Sequence, residues 1–152
     1  VSDIEPFRLE AARKLGATQL VNAANQDLTH EINRITSGLG VDMVIETSGN
    51  DKVLQSSIEL ICRGGALVVV GFPGKDEVPL NVTLMLQKEI DFYSVYRYTN
   101  TYPLGIQLLA SGQYPVDEII TDRYPLDEIQ QAMNQALTNK SSSLKVMVYP
   151  NQ

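Results

Sequence analysis

The sequence has 152 residues, of which 43% are hydrophobic and 20% are charged, an ordinary composition for a globular domain that argues against disorder. Eighteen acidic residues outnumber twelve basic ones, for a net charge of -6, and without a run of Lys and Arg the chain is not expected to bind nucleic acid. No apolar run approaches the roughly 20 residues that span a bilayer, and no signal-peptide pattern opens the sequence. We therefore expect a soluble cytoplasmic protein with no membrane partner.

The first part of the sequence alternates apolar strands with amphipathic helices. Val1-Ser2-Asp3 predicts the end of a strand, and residues 5–15 predict a helix with Pro6 in its first turn and Gly16 as its left-handed cap. The predicted elements that follow are strand 19–21, helix 27–38, strand 41–46, helix 51–61 and strand 66–70. Strands that are apolar on both faces and alternate with helices indicate an α/β fold, a doubly wound parallel sheet with helices on each side.

The pattern changes after Gly71. The elements predicted there are a turn through Gly74, an extended segment 78–80, a brief helix 83–87, a strand 90–96 and a helix 102–110. A turn-rich stretch, 111–113, then precedes strand 119–121, helix 126–137 and strand 144–149. We therefore place a domain boundary at this stretch and predict a Rossmann-type domain over 1–113 and a separate segment over 114–152.

In a dinucleotide-binding sheet, a glycine-rich turn after the first strand holds the pyrophosphate, and an acid about 20 residues later binds a ribose. The sequence has such an acid at a strand end, Asp3, but no glycine turn before it. We therefore expect a Rossmann sheet that lacks its first strand and glycine loop, in a chain that is the distal part of a longer protein. The missing strand would bury three or four large side chains, worth about 5–12 kcal/mol, so the chain alone should be marginally stable or prone to aggregate.

Ligands of parallel sheets bind at the carboxyl ends of the strands, so the ends to consider follow Asp3, Glu46, Val70 and Val95. Three of these ends carry candidate residues. At the first end, Asp3 would accept hydrogen bonds from both hydroxyls of an adenosine ribose. Its charge would repel a 2′-phosphate, which favours NAD over NADP. Arg8, on the following helix, would reach back over the same ribose. The structural alternatives are that Asp3 offsets a helix dipole and that Arg8 is a solvated surface residue.

The other two strand ends carry a glycine and an arginine. In Val70-Gly71-Phe72, the glycine would let the backbone approach a flat ring, with main-chain groups free to bond a carboxamide. An ordinary turn before Pro73 is the alternative. Arg97 and Tyr98 follow the next strand, where a guanidinium fork and a phenol offer directed donors to a hydroxylated substrate. Such residues can also be merely packed at a sheet edge.

A metal site has little support in the sequence. Its one cysteine, Cys62, cannot form an internal disulfide, and with its one histidine, His30, it cannot make a convincing zinc site. We interpret Cys62 as a small buried residue near a helix end and His30 as a surface residue of a helix. Any metal ligands are therefore expected outside this chain.

Several short motifs occur in a defined order along the chain: Val1-Ser2-Asp3, Arg8, Gly64-Gly65, Val70-Gly71, Val95-Tyr96-Arg97-Tyr98, Asn100-Thr101 and residues 120–126. In this order and spacing, the sequence resembles the zinc-containing medium-chain dehydrogenases of the alcohol dehydrogenase type. The Arg-Tyr block points to their polyol branch, the sorbitol (L-iditol) and xylitol dehydrogenases. One departure is Tyr96, where the family often has Phe.

The resemblance implies hydride transfer between the secondary alcohol of a polyol and NAD. It also implies a catalytic zinc whose ligands precede this chain and cannot be assigned to Cys62, His30 or Glu46. No catalytic residue would then lie in this chain, which alone should be inactive, and segment 114–152 would be the C-terminal piece of the catalytic domain. The whole enzyme would form homodimers or tetramers, edge to edge, through a strand near 78–80 or its neighbour.

The same resemblance implies binding roles for individual residues. Those that match the family's cofactor contacts are Asp3 and Arg8 on the adenosine side, Val70, Gly71 and Phe72 near the nicotinamide, and Val95, Tyr96 and Arg97. Those that match its contacts to substrate hydroxyls are Arg97 and Tyr98.

Three other functions compete with this one. A non-catalytic nucleotide-binding module would account for the missing glycine loop and zinc ligands. An S-adenosylmethionine methyltransferase also ends its second strand with a ribose-binding acid, but it needs an antiparallel final hairpin and leaves the match at Arg97 and Tyr98 unexplained. A zinc-free medium-chain reductase would differ upstream, where it would lack the Cys and His ligands.

Overall fold

The computed structural model describes residues 1–97 and 99–150. The chain divides into two compact units, Val1–Gln26 with Tyr102–Gln152, and Asp27–Thr101. These units differ from the domains 1–113 and 114–152 that the sequence suggests, and that boundary stays a prediction. Within the described residues, no helix has the length and apolar character needed to cross a membrane.

Strands and helices follow one another in the predicted order. In chain order they are β1 (Ser2–Asp3), α1 (Pro6–Lys14), β2 (Val21–Asn22), α2 (Leu28–Thr36), β3 (Val41–Glu46), α3 (Asp51–Leu60), β4 (Ile61–Val69), α4 (Val82–Lys88), β5 (Asp91–Ser94), α5 (Tyr102–Ala110), β6 (Ile120–Pro125), α6 (Ile129–Thr138) and β7 (Lys145–Tyr149). Short 3-10 helices, Val116–Ile119 and Leu126–Glu128, precede β6 and α6. The extended segment predicted at 78–80 is not a strand; Val78 and Leu80 instead pack against the core.

The first unit contains two pairs of parallel strands. In one pair β1 lies beside β2, with Ser2 opposite Val21. In the other β6 lies beside β7, with Ile120 opposite Lys145, and α6 forms the crossover between them. The final pair is therefore parallel, whereas a methyltransferase needs an antiparallel hairpin at this place.

The second unit is a three-stranded parallel sheet in the order β3-β4-β5. Helices α3 and α4 pack on one face of it, around a core of fully or almost fully buried side chains: Leu54, Ile58, Ile61 and Leu67. On the opposite face of β3, Met43 and Ile45 are 52% and 60% exposed. Because all three strands run in the same direction, their carboxyl ends lie at one edge of the sheet.

Side-chain caps fix where the helices of the second unit begin. The Oδ1 atom of Asn50 accepts hydrogen bonds from the amides of Lys52 and Val53 at the start of α3, at 2.9 and 3.3 Å. Asp27 caps α2 and Asn81 caps α4 in the same way. Such caps satisfy amides that have no partner inside a helix.

The other end of α3 has no cap of its own and passes directly into β4. The Nζ atom of Lys88 donates instead to the carbonyls of Ile58, Glu59 and Ile61, at 3.2, 2.9 and 2.7 Å. A cation is favourable here because the carboxyl end of a helix carries partial negative charge. Lys88 therefore ties α4 to the α3–β4 junction.

Strand β4 begins earlier than the predicted residue 66, because a bulge precedes its regular part. Val41 pairs with Ile61 and Met43 with Ala66, so residues 62–65 bulge out of the ladder. Gly64 has a φ of +71° there, which glycine adopts readily. Cys62 lies in this bulge and is half-buried, not buried as predicted. His30 is exposed on α2, as predicted.

Candidate functional site

The predicted nicotinamide segment, Val70 to Phe72, leaves the carboxyl end of β4 at the sheet edge. The amides of Val70 and Gly71 both donate to the main-chain carbonyl of Glu46, at 2.8 and 2.9 Å. These two N–H groups are therefore occupied and are not among the main-chain groups that would be free to bond a carboxamide. Over residues 1–97 and 99–150, the carbonyl of Val70 and the amide of Phe72 have no hydrogen-bond partner.

Gly71 owes its identity to a close approach of two backbone segments. It is buried, and a Cβ atom added to it would lie 2.2 Å from the amide nitrogen of Gly49 and 2.6 Å from Oε2 of Glu46. Atoms at such distances overlap, so no larger side chain fits without moving the backbone. A glycine at position 71 therefore lets this backbone pack directly against Gly49 and Glu46. The next residue, Phe72, is at the surface and is 79% exposed.

Two aromatic side chains come together at the ends of β4 and β5. The rings of Phe72 and Tyr96 have centroids 6.1 Å apart and planes tilted by 48°, a common arrangement of an interacting aromatic pair. Val95 joins the two strand ends, because its amide donates to the carbonyl of Val69 at 2.9 Å. Tyr96 is 64% exposed, so the pair presents apolar ring surface next to the free carbonyl of Val70.

Arg97 extends this surface with a positive charge. Its Cζ atom lies 5.2 Å from the centroid of the Tyr96 ring, within the range of a cation–π contact. Its φ of +58° is unusual for a residue with a side chain, and such outliers cluster at functional sites. Among the described residues the guanidinium has no ion pair or hydrogen bond. Its predicted neighbour in the site, Tyr98, lies outside the described residues.

Asp3 and Arg8, the two residues predicted to contact adenosine, both lie in the first unit. Oδ1 of Asp3 accepts a hydrogen bond from the amide of Glu5 at 2.9 Å, while Oδ2 has no partner within 1–97 and 99–150. Arg8 lies on α1, and its Nε atom is buried without a partner in that same part of the chain. A free carboxylate oxygen and an unpaired donor fit the two kinds of hydrogen bond that ribose hydroxyls make.

Glu46 is the residue of this site that the sequence reasoning missed. It ends β3, is 3% exposed, and its carboxylate accepts hydrogen bonds from Ser48 and Gly49. A buried carboxylate is unusual unless it is paired in this way. The signal was present in the sequence, because an acid ends an apolar strand just before a turn-forming Ser48-Gly49, but Glu46 was noted only as a strand end and as a residue that cannot be a zinc ligand.

Residues 1–111 match the sequence profile of the zinc-binding dehydrogenases. The chain belongs to this family. It is 50% identical over 152 residues to a sorbitol dehydrogenase of Bacillus subtilis and 36% identical over 149 residues to a D-arabitol-phosphate dehydrogenase of Enterococcus avium. Those alignments cover 100% and 97% of this chain but only 43% and 42% of the relatives, so the chain spans less than half of their length.

Solved structures agree with the assignment to the zinc-binding dehydrogenases. An oxidoreductase/dehydrogenase of unknown specificity from Escherichia coli superposes with a TM-score of 0.88 at 30% identity, over 98% of this chain and 43% of that one. The fold is thus α/β, and its parallel sheets and helices match the Rossmann-type portion of zinc alcohol dehydrogenases. A methyltransferase is contradicted both by this family membership and by the parallel pairing of β6 and β7.

The family name raises the question of a zinc site in this chain. Over residues 1–97 and 99–150, no group of three or more His, Cys, Asp or Glu side chains could hold a metal ion. Cys62 contacts a single carboxylate, with its Sγ atom 3.7 Å from Oδ1 of Asp42. The described residues therefore do not fit a catalytic zinc.

Proposed function

We propose that this chain provides the cofactor-binding and substrate-orienting part of an NAD-dependent polyol dehydrogenase of the sorbitol, L-iditol or xylitol type. The observation that supports this most directly is the 50% identity with the sorbitol dehydrogenase of Bacillus subtilis along all 152 residues. The reaction would move a hydride between a secondary alcohol of the polyol and NAD. The bond-making groups would lie elsewhere in the enzyme, so the chain alone should be inactive.

Each unit carries residues that are predicted to contact NAD. In the first unit, Asp3 would accept hydrogen bonds from the ribose hydroxyls through its free oxygen, and Arg8 would donate to the same region. In the second, the carbonyl of Val70 and the amide of Phe72 would offer an acceptor and a donor to the carboxamide, while Gly71 stays a predicted contact between them. When bound, NAD supplies the hydride acceptor. The charge of Asp3 would disfavour NADP.

Arg97 would orient the polyol. Its guanidinium makes no hydrogen bond within the described residues and is held beside the Tyr96 ring. Because Arg offers several donors in a fixed plane and no acceptor, it suits a substrate rich in hydroxyl oxygens. Tyr98 stays a predicted second contact to the same hydroxyls, and Val95 and Tyr96 stay predicted cofactor contacts.

The remaining properties come from family membership and stay proposals. Zinc would be held by Cys, His and carboxylate ligands outside this chain, where it would polarise the alcohol. The whole enzyme would act in the cytoplasm as a homodimer or homotetramer. Copies would pair edge to edge through segment 78–80 or a neighbouring strand. Strand β5, the next strand along the chain, lies at an edge of the three-stranded sheet, and all four of its residues are exposed.

The test is an Arg97→Ala substitution in the whole enzyme, assayed with sorbitol, L-iditol and xylitol, and with NAD and NADP. Loss of a charged hydrogen-bond donor should lower kcat/KM for the polyol about 10- to 100-fold. Arg13→Ala is the matched control, because Arg13 is an exposed residue of α1 that pairs with Glu10 of the same helix. Equal polyol kinetics in both variants would remove the role of Arg97.

Assays of the unsubstituted whole enzyme distinguish the proposed function from the other candidate functions. Polyol oxidation with NAD that is lost on zinc chelation is the expected result. Chelator-resistant reduction of a carbonyl compound would indicate a zinc-free reductase instead. Tight NADH binding without turnover of any polyol would indicate a nucleotide-binding module, and the proposal would then be abandoned.

A further inference from the structure

The buried carboxylate of Glu46 holds a turn that the proposed chemistry does not use directly. Its Oε1 atom accepts from the amides of Ser48 and Gly49, at 2.7 and 3.1 Å, and from the Ser48 hydroxyl. Its Oε2 atom lies 3.3 Å from the Gly49 amide nitrogen. With 3% of its surface exposed, this carboxylate is directed into the protein and not toward a ligand. Through Gly49, however, this carboxylate is connected to the proposed cofactor segment, Val70 to Phe72.

The turn that Glu46 holds lies directly against that segment. Gly49 has a φ of +66°, and a Cβ atom added to it would lie 2.3 Å from the carbonyl oxygen of Phe72. The corresponding atom on Gly71 would lie 2.2 Å from the amide nitrogen of Gly49. The backbones at 49 and at 71–72 therefore touch without any side chain between them, so a displacement of the turn must displace the cofactor segment.

Glu46 also contacts the segment through its own backbone, because its carbonyl accepts from the amides of Val70 and Gly71. We propose that Glu46 is a positioning residue for the nicotinamide half of NAD: its carboxylate fixes the Ser48–Gly49 turn, and its carbonyl and that turn together fix Val70 to Phe72. This inference rests on the proposed function. It adds to that function the residue that holds the free carbonyl of Val70 and the ring of Phe72 in place.

A purely structural role is the rival explanation, because the same turn leads into α3. The amide of Asn50 donates to the Ser48 hydroxyl at 3.1 Å, and Asn50 caps the helix. If Glu46 acted only on this helix, its loss would lower the melting temperature but leave cofactor affinity of the folded protein unchanged. If it positions Val70 to Phe72, affinity must fall in molecules that remain folded.

The experiment is a Glu46→Gln substitution in the whole enzyme, with Glu59→Gln as matched control. Glu59 lies on α3 and is exposed, and no hydrogen bond of its side chain is present among the described residues. NADH binding is measured by fluorescence titration, which needs no turnover. Amide hydrogen exchange of residues 64–75 is measured without cofactor, and melting temperatures are recorded for all proteins.

We expect Glu46→Gln to raise the Kd for NADH about tenfold and to speed exchange in residues 64–75, with Glu59→Gln unchanged in both. Equal NADH affinity in the two variants would overturn the inference but leave the proposed function standing. If Glu46→Gln does not fold, Ser48→Ala decides the matter, because it removes one donor to the carboxylate at an exposed position: weaker NADH binding supports the inference and parent-like binding overturns it. A parent enzyme that binds no NADH would overturn the proposed function itself.

Discussion

Asp3 differs from an ordinary helix-flanking acid in how its two oxygens are used. One oxygen is engaged by the amide of Glu5, which holds the carboxylate in place at the start of α1. The other has no partner in the part of the chain that the structure describes. An oriented carboxylate with a free oxygen is well suited to accept two ribose hydroxyls, because little rotamer freedom is lost on binding.

Replacing Asp3 by Ser should therefore change cofactor preference. We expect the KM for NAD to rise about tenfold and the preference for NAD over NADP to shrink, since the charge that would repel a 2′-phosphate is lost. Steady-state kinetics of the whole enzyme with both cofactors measure this. Asp117→Ser, at an exposed position of the first unit, serves as control. An unchanged NAD-to-NADP ratio would contradict the role of Asp3.

At the scale of single residues, the sequence singles out positions by residue type and place in a strand, but it does not show which contacts they make. Gly71 stood out because a glycine ends an apolar strand, and the structure places it at the sheet edge. That its amide is bound to Glu46, and that its missing side chain makes room for Gly49, depends on contacts over more than 20 positions of the chain. Such contacts between distant positions leave no local signal in one sequence.

At the scale of elements, the β6–α6–β7 unit is held together by one carboxylate. Asp122 on β6 accepts hydrogen bonds from Ser143 at 2.7 Å, from Thr121, and from Gln135 of α6 at 2.8 Å. These bonds, that of Ser143 first, lower the pKa of Asp122, against the opposing effect of its burial. The charged form is thus preferentially stabilised in the folded state.

The stability of this unit should consequently depend on pH through Asp122. A pKa lower in the folded than in the unfolded state stabilises the protein above the unfolded value, about 4, and the effect is lost as pH falls through the folded value. Asp122→Asn should lower the free energy of unfolding at pH 7 by about 1 kcal/mol, with a smaller difference below pH about 4. Urea unfolding across this range measures it. Asp127→Asn, an exposed acid nearby, should show no such pH-dependent difference.

The elements themselves were largely predictable because their periodicity is local. Helix α5 and strand β3 have the predicted bounds, since apolar spacing and turn residues define both. The bulge before Ala66 was not predicted, because the Gly64-Gly65 pair is equally compatible with a simple turn. The segment at Val78 and Leu80 was expected to be extended like a strand, yet its side chains fill the core beside α4 without a strand partner.

At the scale of the whole molecule, the main difference from the predicted doubly wound sheet is that several apolar side chains are exposed instead of being covered by helices. Met43 and Ile45 are half exposed, and on α5 Leu104 and Ile106 are 58% and 63% exposed. The sequence predicted strands covered on both faces because both faces are apolar. Periodicity shows that a face is apolar but not which segment covers it.

The chain of 152 residues, expressed alone, should therefore be marginally stable. We expect a low, weakly cooperative thermal transition, binding of a hydrophobic dye, and association at micromolar concentration. Circular dichroism during heating and sedimentation velocity measure these properties. The whole enzyme provides the comparison, and a cooperative melt of the isolated chain at high temperature as a monomer would contradict the expectation.

Because α3 ends at Leu60 and β4 begins at Ile61, with no loop between them, this junction is unsuitable for inserting a label. A peptide tag inserted between Leu60 and Ile61 would separate a helix from a strand that follow one another without a spare residue, and it would displace the carbonyls bound by Lys88. The exposed turn at Gly74 lies outside the helices and strands, and a Cβ atom added there would have no heavy atom of the described residues within 4 Å apart from its chain neighbours. Epitopes, fluorophore-carrying cysteines or split-reporter fragments therefore belong at Gly74, two residues from Phe72 of the aromatic pair, where the proposed binding of NAD would change their signal.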